Sequence, residues 1–177
     1  MTDLATRGAY GVLVEPTTLE IQRLLPGPIE RIWAYLTESD LRRQWLAASD
    51  QEMTAGAEVE LVWRNDELTD PPGRRPAGFS DEHKMQCRVT EFDPPHKLGI
   101  TWGNTGGVSF ELKPAGDRVL LTVIHRRVAE RSTLLNVSAG WHAHLDVMAA
   151  RLSDRQPAPF WDSWLRLKEE YAHRIPE

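Results

Sequence analysis

The sequence predicts an α+β protein in which an antiparallel sheet of about six strands packs against a long helix near the C-terminus. Three observations support this class. Segments that alternate apolar and polar residues, as half-buried strands do, are grouped in the middle of the chain. Short turn sequences rich in Gly, Pro and Asp separate them, which favours antiparallel hairpins. Helical patterns lie on both sides of this strand region, as expected of an α+β domain.

The first strand and two short helices precede the main group of strands. In TLEIQRLL, Leu19 and Ile21 share one face, which predicts a half-buried strand from Thr18 to Leu25. Pro26–Pro28 ends this strand, and the last of these prolines suits the first turn of a helix because its φ is fixed there. The patterns PIERIWAYL and ESDLRRQWL then predict two short helices, which must pack on the rest of the protein to be stable.

Five further segments show the period of two expected of strands. Their in-phase residues are, in chain order, Val59, Leu61 and Trp63; Met85, Cys87 and Val89; Leu98, Ile100 and Trp102; Val108, Phe110 and Leu112; and Val119, Leu121, Val123 and His125. The sequences DPPH, GNTGG and AGD provide turns between them. A polar segment from Asn65 to Ser80 predicts a long loop, and loops of that length inside compact domains are usually functional or disordered.

Two helices are predicted after the strands. The longer runs from about Leu134 to Leu152, and one apolar stripe carries Trp141, Leu145, Met148 and Leu152. After the breaker QPAP, the pattern FWDSWLRLKEEYAHRI predicts an amphipathic helix whose apolar side holds Trp161, Trp164, Leu165 and Tyr171. An exposed stripe of this size would serve a homodimer or another protein partner through Trp161, Trp164 and Tyr171. The alternative is that the helix packs on its own domain.

Composition and charge exclude several classes of function. The 177 residues fit one domain, and a net charge of −5 argues against a nucleic-acid partner. The single cysteine, Cys87, excludes an intrachain disulfide. No stretch reaches membrane-spanning length, and the N-terminus lacks the apolar run of a signal peptide. We therefore expect a cytoplasmic protein without membrane insertion.

The sequence predicts no metal site, no cofactor and no catalytic constellation. His142 and His144 point about 160° apart on a helix, and neither HExxH nor CxxC occurs. His142 and Asp146 have the spacing of helical metal ligands, but they are interpreted as polar residues on the flank of the helix, away from its apolar stripe. His125 and His144 lie in or beside inward faces, where a satisfied core histidine is favoured over a catalytic base.

Two other inward residues have alternative interpretations. Arg23 could bind a carboxylate ligand, but pairing with an internal acid is favoured. Cys87 lies on an apolar face, and a reactive thiolate needs accessible electropositive surroundings, so a small core residue is the favoured interpretation. GNTGG resembles a phosphate loop only loosely, because it joins two strands and has no helix N-terminus behind it.

The unusual feature of the composition is its seven tryptophans. Large apolar residues in inward phase come from nearly every strand and from the long helix. They could fill a core, or they could line an apolar cavity with a few polar groups, which is the usual composition of a small-molecule site. Periodicity alone does not distinguish a core from a cavity.

Several segments carry a resemblance to a known superfamily. They are LEIQRLLPGPIERIWAYLTESDLRRQWL at 19–46, PPHKLGITW at 94–102, VSFELKP at 108–114, LTVIHR at 121–126 and GWHAHLDVMAARL at 140–152. Together they resemble the START-like helix-grip (SRPBCC) proteins, in the branch similar to the C-terminal domain of the activator of the 90-kDa heat-shock protein ATPase. The resemblance implies a curved antiparallel sheet around a long C-terminal helix, over residues 17–155. An N-terminal arm at 1–16 and an amphipathic helix extension at 156–177 flank this domain.

The resemblance also implies a cavity between the sheet and the long helix, with the loop from Asn65 to Ser80 over its mouth. The cavity is expected to be lined by Trp45, Trp63, Met85, Trp102, Phe110, His125, Trp141, His144, Leu145 and Met148. The leading expectation is non-catalytic binding of a small apolar or aromatic ligand. One alternative is a co-chaperone-like interaction protein. Another is a cyclase- or hydrolase-like enzyme on a polyketide-type substrate, with His125 or His144 as general base.

Overall fold

A curved seven-stranded antiparallel sheet is the main layer of the computed structural model, which describes residues 8–103 and 106–176. Its strands are β1 (Val12–Glu15), β2 (Thr18–Pro26), β3 (Glu58–Trp63), β4 (His83–Asp93), β5 (Lys97–Trp102), β6 (Gly106–Ala115) and β7 (Arg118–Arg126). They are ordered β1-β2-β7-β6-β5-β4-β3 across the sheet. The antiparallel sheet and the helix-grip class predicted from the sequence are therefore confirmed.

The sheet has one strand more than the approximately six predicted. The additional strand, β1, falls in the segment that was expected to be an N-terminal arm, and it pairs with β2 through Val12↔Glu20 and Leu13↔Leu19. With only four residues, β1 is too short for a period of two to be recognised in its sequence. The predicted hairpin between β5 and β6 is confirmed by the pairing of Trp102 with Gly106.

Two short helices follow β2, as predicted: α1 (Ile29–Thr37) and α2 (Ser39–Arg42). The turn after α2 is held by the guanidinium of Arg42, which is only 2% exposed. Its Nε donates to the carbonyl of Ala47 at 2.9 Å, and its Nη1 donates to the carbonyls of Leu36 and Thr37 at 3.2 and 3.1 Å. Burial lowers the pKa of Arg42 to about 10, which leaves the side chain charged at neutral pH.

The long helix α3 (Arg131–Leu152) contacts β2, and helix α4 (Phe160–Arg174) packs on α3. Because the sheet and α4 lie on different sides of α3, this helix is buried around most of its circumference and not along one stripe. Trp161, Trp164 and Tyr171 of α4 are 3%, 5% and 0% exposed. The prediction that they form an exposed partner surface is therefore wrong, and the alternative that α4 packs on its own domain is correct.

A buried polar cluster joins the N-terminal segment to α3 and α4. The Tyr171 hydroxyl accepts the backbone N–H of Gly11 at 2.7 Å and lies 2.9 Å from Nδ1 of His142. The ring of Tyr10 packs edge-on against both the imidazole and the Tyr171 ring. His142 is thus a polar residue on the flank of α3, as interpreted from the sequence, and α4 and the N-terminal segment bury that flank.

Arg23 pairs with an acid, the interpretation that the sequence favoured. Its Nη2 lies 3.0 Å from Oδ1 of Asp146, and its Nη1 donates to the carbonyl of Ala9 at 2.6 Å. The Asp146 side chain is 45% exposed, so the acid lies at the edge of the core. The pair links β2 to α3 and leaves Arg23 engaged by protein groups.

Candidate functional site

A cavity of about 340 Å³ lies between the sheet and helices α3 and α4. Seven aromatic side chains line it: Trp63, Phe79, Trp102, Trp141, Phe160, Trp161 and Trp164. Leu46, Met85, Val137, Gly78 and Gly140 complete the apolar part. The polar lining residues are Asn65, Ser80, Asp81, His83, Asn136 and His144. Five of the seven tryptophans of the chain therefore meet at one cavity.

The aromatic residues of the lining form two groups, each held together by ring contacts. On the sheet side, Trp102 lies at ring-centroid distances of 5.5 Å from Trp63 and 5.4 Å from Trp141. On the helix side, Phe79 lies 5.5 Å from Trp161 and 5.2 Å from Trp164. The tilted and edge-on geometries are those that aromatic pairs prefer, so each group supports the positions of its own rings.

The sheet-side group exists because strand positions of the same phase face the same side. Trp63 is the last residue of β3 and Trp102 is the last residue of β5, so both indoles lie where the sheet meets the loops. Trp141 reaches the same place from α3, because its Nε1 donates to Nδ1 of His125 on β7 at 3.0 Å.

The loop after β3 is attached to α4 and forms the rim of the cavity. Trp161 donates from its backbone N–H to the carbonyl of Pro72 at 3.0 Å and from Nε1 to Oδ1 of Asp66 at 2.7 Å. Gly73 has φ +82°, and a Cβ there would lie 2.8 Å from the backbone nitrogen of Asp162, so this close approach requires glycine. These contacts fix the first half of the loop.

The second half of the loop carries Phe79, which lies over the helix-side tryptophans. Gly78, immediately before it, has φ +93°, and a Cβ at this position would have no neighbour within 4 Å. The Phe79 side chain remains 43% exposed although its ring contacts Trp161 and Trp164. The loop segment 78–81 therefore covers part of the cavity mouth with an aromatic ring that is only half-buried.

His144 is the histidine of α3 that lines the cavity. Its Nδ1 lies 2.8 Å from the carbonyl oxygen of Trp45. Because a carbonyl can only accept, Nδ1 carries the proton and Nε2 is an acceptor in the neutral ring. Burial lowers the pKa of His144 to about 4, so the ring is neutral at pH 7. The cavity wall thus contains a neutral imidazole of fixed tautomer.

Five of the ten predicted cavity residues line the cavity: Trp63, Met85, Trp102, Trp141 and His144. The other five, Trp45, Phe110, His125, Leu145 and Met148, are buried but lie behind the wall. Trp45 donates from Nε1 to the carbonyl of Tyr35 at 2.8 Å, deep under α1. His125 accepts from the Trp141 indole, and burial lowers its pKa to about 4. His125 is therefore a satisfied core histidine, as the sequence favoured.

Several lining residues were not predicted as part of the site. Trp161 and Trp164 were assigned to a partner surface, and their burial against the cavity corrects that assignment. Phe79, Asp81 and His83 come from the loop and from the first residue of β4, where no period exists to reveal their direction. The signal that could have found them is the length of this loop, which the family resemblance places over the mouth.

Cys87 is not among the residues that line the cavity, so its thiol adds no nucleophile there. The thiol is 5% exposed, and burial raises its pKa, which fits the predicted role of a small core residue.

Residues 8–103 and 106–176 contain no group of three or more His, Cys, Asp or Glu that could hold a metal ion. Over the same residues, no helix is long and apolar enough to cross a membrane.

Comparison with known proteins places this fold among related structures. A solution NMR structure of a protein from Bordetella parapertussis is 34% identical, with a TM-score of 0.79 over 97% of this chain and 93% of that chain. CalU16 from Micromonospora echinospora is 18% identical, with a TM-score of 0.64 over 88% and 86% of the two chains. DynU16, from the dynemicin biosynthetic locus, is 18% identical, with a TM-score of 0.65 over 81% of this chain and 49% of that chain. At such identities the last two comparisons show the fold alone.

The search of the curated proteins gave no match. The family model described as Activator of Hsp90 ATPase homolog 1-like protein matches residues 26–153, which is most of the chain. This match covers β3 to β7, the two short helices and the long helix, and it begins at the last residue of β2. Together with the 34% identical relative, it shows that the chain belongs to the Activator of Hsp90 ATPase homolog 1-like family.

Proposed function

We propose that the protein binds a small apolar or aromatic ligand, without transforming it, in the cavity between the sheet and helices α3 and α4. The observation that carries this proposal is the convergence of five tryptophans on one cavity. A packed core would use these rings to fill space, but here they surround about 340 Å³. This volume lies at the lower end of the range for small-molecule sites, and a mainly apolar lining, rich in aromatic rings and with a few polar groups, is their usual composition.

The polar groups of the wall support a role in orienting a ligand. The side-chain oxygens of Asn65 and Asn136 have no hydrogen-bond partner among the described residues. An unpaired buried oxygen costs free energy that a hydrogen-bonding ligand could recover. Both residues line the cavity, one from the 3₁₀ turn at Asn65–Glu67 and the other from the N-terminal half of α3.

An enzymatic role is the second candidate, because His144 presents a neutral imidazole to the cavity. As a general base, however, a histidine with a pKa of about 4 is poorly matched to work near pH 7. His125, the other histidine considered as a base, lies behind the wall and is already bonded to Trp141. These two facts favour binding over catalysis.

The co-chaperone-like alternative rested in part on an exposed aromatic stripe on α4. In the structure this stripe is buried between α3 and the loop, so that surface gives the alternative no support. The family description concerns an activator of a chaperone ATPase. For this chain, we rank that role below ligand binding.

The test uses Gly140, a lining residue in the middle of α3. A Cβ at this position would lie 4.0 Å from Nε1 of Trp164, so alanine fits without displacing an atom. Gly140→Ala should therefore stabilise the helix by about 1 kcal/mol and leave most of the cavity open. Gly140→Leu should place a larger side chain in the cavity and reduce ligand binding by more than about tenfold.

Binding would be measured by isothermal titration calorimetry with 2-naphthylmethanol, and co-purified molecules would be identified by native mass spectrometry of the unmodified protein. Thermal unfolding of both variants is the control for folding. If Gly140→Leu folds normally and binds as tightly as Gly140→Ala, the ligand does not occupy this cavity and the proposal is wrong.

A further inference from the structure

The cavity has an uneven distribution of charge. Within the described part of the chain, its lining includes the carboxylate of Asp81 but neither lysine nor arginine. Asp81 lies at the exposed rim, immediately after the loop that carries Phe79. Nζ of Lys168 lies 5.3 Å from the ring centroid of Trp164, but Lys168 is not part of the lining.

An indole face that a ligand contacts adds negative potential to that of the carboxylate. The face of an indole ring is the negative end of its quadrupole, and it attracts a cation placed within about 6 Å of the ring centroid. Five indoles surround the cavity, with Trp63, Trp102 and Trp141 on the sheet side and Trp161 and Trp164 on the helix side. A positive group is favoured in such surroundings and a negative group is not.

The imidazole of His144 has the same preference. Because its Nδ1 lies 2.8 Å from the Trp45 carbonyl, its remaining nitrogen is an acceptor and can receive an N–H donor from a ligand. A carboxylate ligand would find no formal positive charge among the lining residues to offset its desolvation. Tight binding of a fatty acid or another anionic molecule is therefore disfavoured.

We propose that the ligand of this cavity is an aromatic amine in its protonated form, an inference that rests on the proposed function. The ring system lies between the two tryptophan groups, and the ammonium group is directed to the rim near Asp81. Among ligands that share one ring system, the cation should therefore bind most tightly, the neutral molecule less tightly and the anion least tightly.

The experiment compares three ligands that share a naphthalene ring: 2-naphthylmethylammonium, 2-naphthylmethanol and 2-naphthoate. Each is titrated calorimetrically at pH 8 and low salt. We expect the ammonium compound to bind about tenfold more tightly than the carboxylate, with the alcohol between them. Asp81→Asn should weaken binding of the ammonium compound and leave the affinity for the alcohol unchanged. The loss should be at most about fivefold, because the carboxylate is exposed.

The matched control is Asp50→Asn, which changes the net charge by the same amount at an exposed residue that does not line this cavity. It should leave all three affinities unchanged. Equal binding of the ammonium compound and the alcohol, tighter binding of 2-naphthoate, or equal effects of the two aspartate variants would overturn the charge preference while ligand binding stands. Failure of all three compounds to bind would overturn this inference and the proposed function together.

Discussion

Trp141 on α3 donates a hydrogen bond of 3.0 Å from Nε1 to Nδ1 of His125 on β7, and this contact ties the long helix to the sheet directly behind the cavity. His125 is 2% exposed and does not line the cavity, whereas Trp141 does. His125 therefore acts on the cavity through Trp141, by fixing the direction of its indole ring.

Replacing His125 by Phe should destabilise the protein while keeping an aromatic ring in its place. The indole N–H of Trp141 would lose its acceptor in a buried environment, which should lower the free energy of unfolding by about 1–3 kcal/mol. Urea denaturation measures this loss. In the double variant with Trp141→Phe, the unpaired donor is absent, so the two losses should not add; full additivity would show that the hydrogen bond contributes little.

Stability should fall in mildly acidic solution because three histidines are buried in neutral form. Burial lowers the pKa values of His125 and His144 to about 4 and that of His142 to about 3, each from 6.5. Below pH 6.5 the unfolded chain binds protons that the folded chain does not, so acid favours unfolding. Between pH 6.5 and pH 5 we expect a loss on the order of 2 kcal/mol per histidine.

Chemical denaturation at several pH values between 5 and 8 measures this dependence. Above about pH 7 the contribution of these histidines to the free energy of unfolding should not change with pH. Below that pH the free energy of unfolding should decline. In the His125→Phe variant, the fall in the free energy of unfolding should be smaller by the contribution of one histidine, and the contributions of His142 and His144 should remain. Equal stability at pH 5 and pH 7 would contradict burial of the neutral rings.

Tyr171→Phe should weaken the attachment of α4 to the N-terminal segment. The hydroxyl accepts the N–H of Gly11 and is bonded to His142, so its removal leaves two buried groups without a partner. We expect the free energy of unfolding to fall by about 2 kcal/mol. Tyr10→Phe is the matched control, because that hydroxyl makes one part-buried bond of 3.1 Å to Glu170 and should contribute less than about 1 kcal/mol. Equal effects of the two variants would argue against this cluster.

Arg42→Met should be severely destabilising, although the residue does not line the cavity. Three backbone carbonyls and the Ser49 hydroxyl would lose a charged donor inside the protein, which we expect to lower the free energy of unfolding by about 3 kcal/mol or more. Arg43→Met is the control, since the neighbouring side chain is exposed. Thermal unfolding separates the two; similar melting temperatures would contradict the structural role of Arg42.

Phe79→Ala should accelerate ligand dissociation and leave the fold intact. The ring covers part of the cavity mouth but is 43% exposed, so its removal exposes the ligand while costing little packing. Stopped-flow displacement of 2-naphthylmethanol measures the dissociation rate. Leu165→Ala is the matched control, because Leu165 is 41% exposed and does not line the cavity. An unchanged dissociation rate in the Phe79 variant would show that the loop does not cover the ligand.

Periodicity predicted the regular elements because it reports which face of a strand or helix is apolar. The strand from Thr18 and the long helix ending at Leu152 were located from that signal, and both are confirmed. Strand β1 was missed because four residues show no clear period. Periodicity also left open what covers an apolar face, so the stripe of α4 was assigned to a partner although the domain itself covers it.

The cavity was only half predicted for a related reason. An inward face does not reveal depth: Trp45 and Leu145 point inward as Trp141 does, yet they lie behind the wall and Trp141 is part of it. The direction of Phe79 depends on the loop bonds to Trp161 and on the close approach at Gly73, which are contacts between residues far apart in the chain. Such contacts leave no local pattern in the sequence.

Five tryptophans at one cavity also give the protein a built-in optical reporter. Indole emission depends on the polarity around the ring, so most of the fluorophores of this chain respond to what enters a single place. Trp45, bonded under α1 away from the cavity, supplies an internal reference that the occupant does not touch. Occupancy can thus be followed from the emission spectrum of the unlabelled protein.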